Sequence, residues 1–188
     1  MPPPTQSSMT YSSHGVSSYL KGVFALKRKL RWLGFGLVGV LLLSQCIRPN
    51  HTNPPIDAVR TLQAHTQIPP QVETILQRSW NDCHSNHTEW PWYSQRSPIS
   101  WYLQHHINEG RRELNLSDWA TYDQRCAVRK LHEICEQVEK GEMPPMTYLW
   151  LHPSAALSTG DQQAICAWTR RERQRLQAAQ QSSLEPAQ

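Results

Sequence analysis

The chain has 188 residues, 38% apolar and 18% charged, with a mean hydropathy of -0.62. That size allows one ordinary domain plus extensions, and that polarity excludes a multi-span membrane protein. The formal charge of +4 is unevenly placed, because residues 1–49 hold six basic residues and no acid, which leaves 13 basic and 15 acidic residues beyond them. The basic character therefore belongs to the N-terminal segment and does not point to a nucleic-acid-binding domain, so no nucleic-acid partner is expected.

In chain order, residues 1–31 read as a disordered basic tail, rich at first in Pro, Ser and Thr and ending in Lys27-Arg28-Lys29 and Arg31. The apolar run from Trp32 to Ile47 covers 16 residues, interrupted by Ser44 and Gln45. Residues 32–48 are expected to be a membrane anchor helix or signal segment, with lipid as partner through residues 32–47 and the N-terminus inside. A cleaved signal and a lipoprotein signal ending at Cys46 are the alternatives, and each sends the rest of the chain across a membrane. A Pro-rich linker, Arg48 to Pro55, precedes a domain expected over residues 49–170, and residues 171–188 read as a charged polar tail.

Within that domain no strand-like alternation persists, and the pattern is of short helices between Pro-rich turns. Ile56 to Thr66 is the first. Pro69-Pro70 opens a second, with Val72, Ile75, Leu76 and Ser79 on one face, running into Cys83-His84. Ser97-Pro98 opens a third carrying Ile99, Leu103 and Ile107. Ser117 is the expected cap of a fourth, whose stripe Val128, Leu131, Ile134/Cys135 and Val138 stops at Gly141. Ser158 and Asp161 form a capping box for the last, which carries Ile165 and Trp168. The fold class is all-α.

Trp80-Asn81-Asp82-Cys83-His84 has the frame of Cys-x-x-Cys-His, the c-type haem attachment signal, with Trp80 in place of the first Cys. In the full frame two thiols add to haem vinyl groups and the adjacent His reaches the iron from the same turn. Here one thioether, through Cys83, is the most that can form. Downstream, Gly141-Glu142-Met143-Pro144-Pro145-Met146 offers a Met in a Pro-stiffened loop. A thioether opposite an imidazole is a known electron-transfer ligation. An aromatic cluster (Trp90, Trp92, Tyr93, Trp101, Tyr102) suits a large apolar pocket, although an ordinary core is the simpler use of such residues.

An ordered set of motifs over about Asn53 to Thr169 resembles the bacterial haem-binding domain family, with a cytochrome c-like fold and usually exported and membrane-anchored. The matching stretches are Gln45-Cys46-Ile47-Arg48-Pro49, Asn53-Pro54-Pro55, Asp82-Cys83-His84-Ser85-Asn86, Trp90-Pro91-Trp92-Tyr93-Ser94, Pro98, Asn108-Glu109-Gly110-Arg111, Gly141-Glu142-Met143-Pro144, Tyr148, Leu151-His152-Pro153 and Leu157. The resemblance implies Cys83 as the thioether residue, His84 as the proximal iron ligand and Met143 as the distal one. It implies Arg111 as a propionate partner and the Pro98 carbonyl as acceptor of the His84 ring N–H. Trp90, Trp92 and Tyr93 are expected to bury the haem.

The function expected is periplasmic one-electron transfer at an inner membrane, with haem as cofactor and a redox protein of unknown identity as partner. Two rivals stand beside it: a haem-free interaction module, and a peroxidase-like enzyme if the distal site is open. Cys135 and Cys166 are candidates for a disulfide, the alternative being two buried thiols, with Cys126 left over. His105-His106 supplies an alternative distal ligand. A zinc site from Cys83, His84 and His87 is a weaker rival, since no second Cys-x-x-Cys or His-x-x-x-His pair supports it.

Overall fold

A computed structural model describes residues 13–184, with side chains from 26 to 182. The expected disorder of residues 1–12 and the end of the polar tail, 185–188, lie outside the described residues. Two units are distinguished, residues 1–48 and 49–188.

Among the described residues of the first unit, one helix, α1, runs Ser13–Ser44. Residues 13–31, expected as part of a disordered tail, are thus helical. Proline is confined to positions 2–4 in this stretch, and Leu, Ala, Lys and Arg from Leu20 onward are strong helix formers. The apolar side chains are exposed, Trp32, Leu33, Phe35 and Leu43 among them. Among the described residues no helix is long and apolar enough to cross a membrane, which corrects the expected spanning anchor at 32–48. The reason is length: the 16 residues from Trp32 to Ile47 would reach about 24 Å as a helix, short of the roughly 30 Å hydrocarbon layer.

The second unit is all-helical among the described residues, as expected. It contains α2 (Leu62–His65), α3 (Pro70–Ser79), α4 (Asn81–His84), α5 (Ile99–Glu113), α6 (Gln124–Glu139), α7 (Met146–Leu149) and α8 (Thr159–Leu184), with 3-10 turns between several of them. The segment expected as one helix from Ile56 to Thr66 is split into a 3-10 turn, Ala58–Arg60, and the short α2. Asp57 caps the former by accepting from the Val59 N–H, and Thr61 is extended. Ser117 does not cap the fourth helix. It lies in a 3-10 turn, Leu116–Thr121, and α6 begins after Asp123, whose carboxylate accepts from the Cys126 N–H at 2.7 Å. A carboxylate in this place serves both the orphan N–H and the helix dipole.

α6 buries Ala127, Leu131, Ile134 and Val138, a 4-3-4 stripe that places Ala127 rather than Val128 inward. It ends at Gly141, whose φ of 70° allows the Gly141 N–H to reach the Val138 carbonyl at 3.1 Å and the Glu142 N–H to reach Gln137 at 3.0 Å. This is a Schellman closure, and it requires the left-handed conformation that glycine adopts at no steric cost. The Ser158–Asp161 capping box forms reciprocally, with Ser158 N–H donating to Asp161 at 2.9 Å and Asp161 N–H to Ser158 Oγ at 3.1 Å. α8 continues through the segment expected as a tail, because Glu172, 3% exposed, is drawn inward and paired with Arg175.

α6 and α8 pack along one another, and the Cys135–Cys166 disulfide joins them. Their buried faces meet α3 in one core, with Val72, Ile75, Leu76, Leu131, Ile134, Val138, Ile165 and Trp168 at its centre. Trp80 belongs to this core at 3% exposure. It ends α3 and begins α4 with non-helical backbone (φ -123°, ψ -39°), so the helix is broken there.

Candidate functional site

α4 is a single turn, and its last residue is His84, 8% exposed. The C-terminal half of α5 crosses this turn at very short range. A Cβ on Gly110 would stand 2.7 Å from the Cys83 carbonyl oxygen, so no other residue fits there without displacement. This contact brings the end of α5 onto the His84 ring. His84 Nδ1 lies 2.9 Å from the Gly110 carbonyl and 3.1 Å from that of Leu114. The Gly110 carbonyl also accepts the Leu114 N–H at 2.8 Å, so it serves the ring with its second lone pair.

Because both neighbours are acceptors, the ring proton resides on Nδ1 and the Nε2 lone pair is left free. Among the described residues Nε2 has no hydrogen-bond partner. Burial drives the His84 pKa down, against the two carbonyls that favour its charged form, with Lys130 also acting downward. The imidazole is therefore neutral near pH 7, the form that binds a metal.

His84 lines a cleft of about 330 Å³ together with Cys83, Tyr93, Tyr102, His106, Met143, Tyr148 and His152. A second cleft of about 410 Å³ adjoins it, also lined by His84 and Met143, and by Trp80, Lys130 and Gln137. The structure thus brings Cys83, His84, Met143 and Tyr93 to one cavity. Met146, 66% exposed, does not line it. Ile99, Tyr102 and Leu151 also face the cleft and remain 47%, 53% and 60% exposed, so a substantial apolar area there is unsealed by protein.

The other expected site residues lie elsewhere. The Pro98 carbonyl does not meet His84; it starts α5 by accepting from Trp101 and Tyr102 N–H, while the far end of that helix supplies the carbonyls. Arg111 does not line the cleft. Its Nε donates to the Ser85 carbonyl at 2.8 Å, and its Nη2 to Asn53 Oδ1 at 3.0 Å and Thr88 Oγ1 at 2.8 Å. These bonds lash the segment after His84 in place. Trp92 is 80% exposed. It and Tyr93 are consecutive on one 3-10 turn, their rings edge to face with centroids 5.9 Å apart, and of the two Tyr93 lines the cleft. Trp90 stacks on His51 with centroids 4.4 Å apart, away from the cleft. Of the histidine pair, His106 lines the cleft, and His105 is 67% exposed beside Glu109.

Residues with no role assigned from the sequence complete the wall. Tyr148 Oη donates to Asp82 Oδ2 at 2.9 Å, and its ring stacks on His152 at 4.1 Å and 13°. His152 Nδ1 donates to the Tyr148 carbonyl, so Nε2 accepts from the Tyr93 hydroxyl at 3.2 Å. Burial, and next the Asp82 carboxylate, hold the Tyr148 phenol well above the ordinary tyrosine range. The Cys83 thiol is pushed up to about 11, by burial first and then by Asp82, with Arg111 acting the other way. The sequence signal for this wall is the Tyr148, Leu151, His152 spacing, which sets all three on one side of a short turn.

The cavity fits haem on its own observations. It has a neutral imidazole with a free, fixed Nε2, a thiol on the preceding residue, a thioether on the facing segment, and exposed apolar side chains between them. The zinc alternative is not assembled. Among the described residues the cluster of metal-ligand type is Cys135, Glu139 and Cys166, whose two thiols are already joined as the disulfide.

Residues 39–171 match the family model described as a haem-binding domain. No curated protein and no solved structure matches the chain.

Proposed function

The chain belongs to the haem-binding domain family, and on that premise we propose that it is an exported c-type haem protein that carries single electrons. The observation that carries this reading is the His84 imidazole, with its Nδ1 proton fixed on two backbone carbonyls and its Nε2 lone pair turned to a cleft shared with Cys83 and Met143. When bound, haem supplies an iron that accepts and releases one electron. The protein supplies everything that sets how readily it does so. His84 would hold the iron, while the Gly110 and Leu114 carbonyls orient the ring and raise its basicity. Met143 would supply a second ligand which, as a soft thioether, favours the reduced metal. Cys83 would form the one thioether link, its S–H adding across a vinyl group, and Tyr93, Tyr102 and Leu151 would supply apolar surface against the group.

Export is supported by the Cys135–Cys166 disulfide, which persists in an oxidising compartment such as the periplasm. The basic-then-apolar order of residues 27–47 reads as an export signal whose exposed Leu, Trp and Phe side chains contact lipid at the membrane surface. A redox protein would meet the open side of the cleft.

One observation favours a second reading, in which the domain has become a haem-free interaction module. Trp80 fills core space beside the cleft, at the position from which a second thiol would reach a vinyl group.

Expression with a working c-type maturation system distinguishes the two. The purified protein should be coloured, and its reduced pyridine haemochrome band should lie to the red of a two-thioether protein. A colourless product would select the module.

A further inference from the structure

We propose that Tyr148 and Asp82 form a clasp that holds the Met143 segment against the Cys83–His84 turn, so that Tyr148 is a positioning residue for the distal ligand; this rests on the reading of Met143 as that ligand. The argument begins with how residues 141–155 are held. At the near end, the Glu142 and Met143 N–H groups donate to the Gln137 carbonyl at 3.0 and 3.3 Å. At the far end, Ala155 is 1% exposed and its carbonyl accepts from Ser79 Oγ at 2.9 Å.

Between these anchors Met143 packs against the core and Pro144 is buried, but beyond those two residues the segment has little packing to hold it. Met146, Trp150 and Leu151 are 66%, 75% and 60% exposed. α7 is a single turn and cannot persist by itself. Among the described residues, the side-chain hydrogen bonds from 144–152 to the rest of the domain are Tyr148 Oη to Asp82 Oδ2 and Tyr93 Oη to His152 Nε2. The first reaches the residue beside Cys83, on the one-turn helix that carries His84. Asp82 is itself fixed, since its other oxygen accepts from the Glu89 N–H at 3.0 Å. The clasp therefore runs directly from the proximal turn to the segment that presents Met143. A hydrogen bond to a charged acceptor changes a local opening equilibrium by about tenfold or more.

The test uses Tyr148→Phe, which deletes the hydroxyl and keeps the ring that stacks on His152. Amide hydrogen exchange is followed on the haem-free full chain. Peptides from 144–152 should exchange about tenfold faster than in the parent, while those from α5 and α6 are unchanged. Asp82→Ala should reproduce the effect, and the double variant should be no faster than either single one; additive effects would overturn the clasp, as would unchanged exchange in Tyr148→Phe. In the haem-loaded ferric protein, urea should abolish the iron–thioether charge-transfer band before the far-UV helix signal in Tyr148→Phe, and together with it in the parent. Coincident loss in both would overturn the positioning role. If the band survives Met143→Ala, the ligand reading has failed instead, a result that the haem-free exchange data keep separate.

Discussion

Gly110→Ala perturbs the junction on which the site depends. An added Cβ would lie 2.7 Å from the Cys83 carbonyl oxygen, 3.3 Å from its carbonyl carbon and 3.4 Å from its Cβ. A tolerable C···O contact is about 3.3 Å, so α5 and α4 must separate by about 0.6 Å. The Gly110 carbonyl moves with its helix, and the 2.9 Å bond to His84 Nδ1 lengthens towards the limit of a hydrogen bond. The strain costs about 1–3 kcal/mol. Alanine recovers up to about 1 kcal/mol of helix propensity, so stability alone gives an ambiguous net. Gly160→Ala resolves this. Its Cβ would meet only Ser158 Oγ at 3.7 Å, so it should be neutral or slightly stabilising. Urea melts of the two haem-free variants should therefore differ by about 1–3 kcal/mol, with Gly110→Ala the weaker. In the loaded protein Gly110→Ala should also shift the Soret maximum and the reduction midpoint, because the ring loses its fixed orientation. If Gly110→Ala matches Gly160→Ala in stability and spectrum, the close crossing of α5 on the His84 turn is not what positions the ligand.

Further expectations concern ligation, core, cross-link and pH. Met143→Ala should abolish an iron–thioether charge-transfer band and lower the potential, while Met146→Ala, at an exposed position outside the cleft, should do neither. Trp80→Cys restores the two-thiol frame but removes a core side chain 3% exposed; it should cost the haem-free protein about 3–5 kcal/mol, and expression with the maturation system should return a two-thioether haemochrome band. Cys135→Ser with Cys166→Ser opens a loop of 31 residues, a loss of about 3.7 kcal/mol on the chain-entropy relation, read as a lower urea midpoint. For Asp161, burial acts upward, but hydrogen bonds from Ser158 and the Arg78 guanidinium hold the carboxyl below the usual carboxylate range. Its folded-state pKa is depressed, so its contribution is present above about pH 4 and lost as pH falls through the lower folded value. Asp161→Asn should remove that part of the acid dependence of the melting temperature.

The helices that were legible in the sequence are those whose stripes are long enough to show a period. α3 and α6 were visible through Val72, Ile75 and Leu76 and through Leu131, Ile134 and Val138, and Gly141 marked the end of α6 because only a left-handed residue closes that turn. Trp80 is Leu76 plus four, so its burial continues the α3 stripe, and its place in the core was readable in principle. Cys83, His84 and Met143 were found by chemistry rather than period, and they share one cleft. The partners of His84 were not readable. Which end of α5 lies over the ring is a tertiary fact, and the Pro98 and Gly110 carbonyls sit at opposite ends of that helix. The protein partners of Arg111 were hidden for a similar reason, since the acceptors Ser85, Asn53 and Thr88 are gathered only by folding. Trp92 and Tyr93 touch edge to face, yet only Tyr93 lines the cleft, a difference set by one 3-10 turn rather than by spacing. The anchor expectation set a basic flank against an apolar run of 16 residues that is already slightly short for a span, and among the described residues no helix is long and apolar enough to cross.

The most direct test of the account is the intact mass of the protein under denaturing conditions, after expression with c-type maturation. The parent should be heavier than the bare chain by one haem, and Cys83→Ala should have the bare-chain mass while His84→Ala, if it retains the adduct, should lose the low-spin spectrum. A parent at the bare-chain mass, or a haem adduct that survives Cys83→Ala, would contradict attachment through the turn that presents His84.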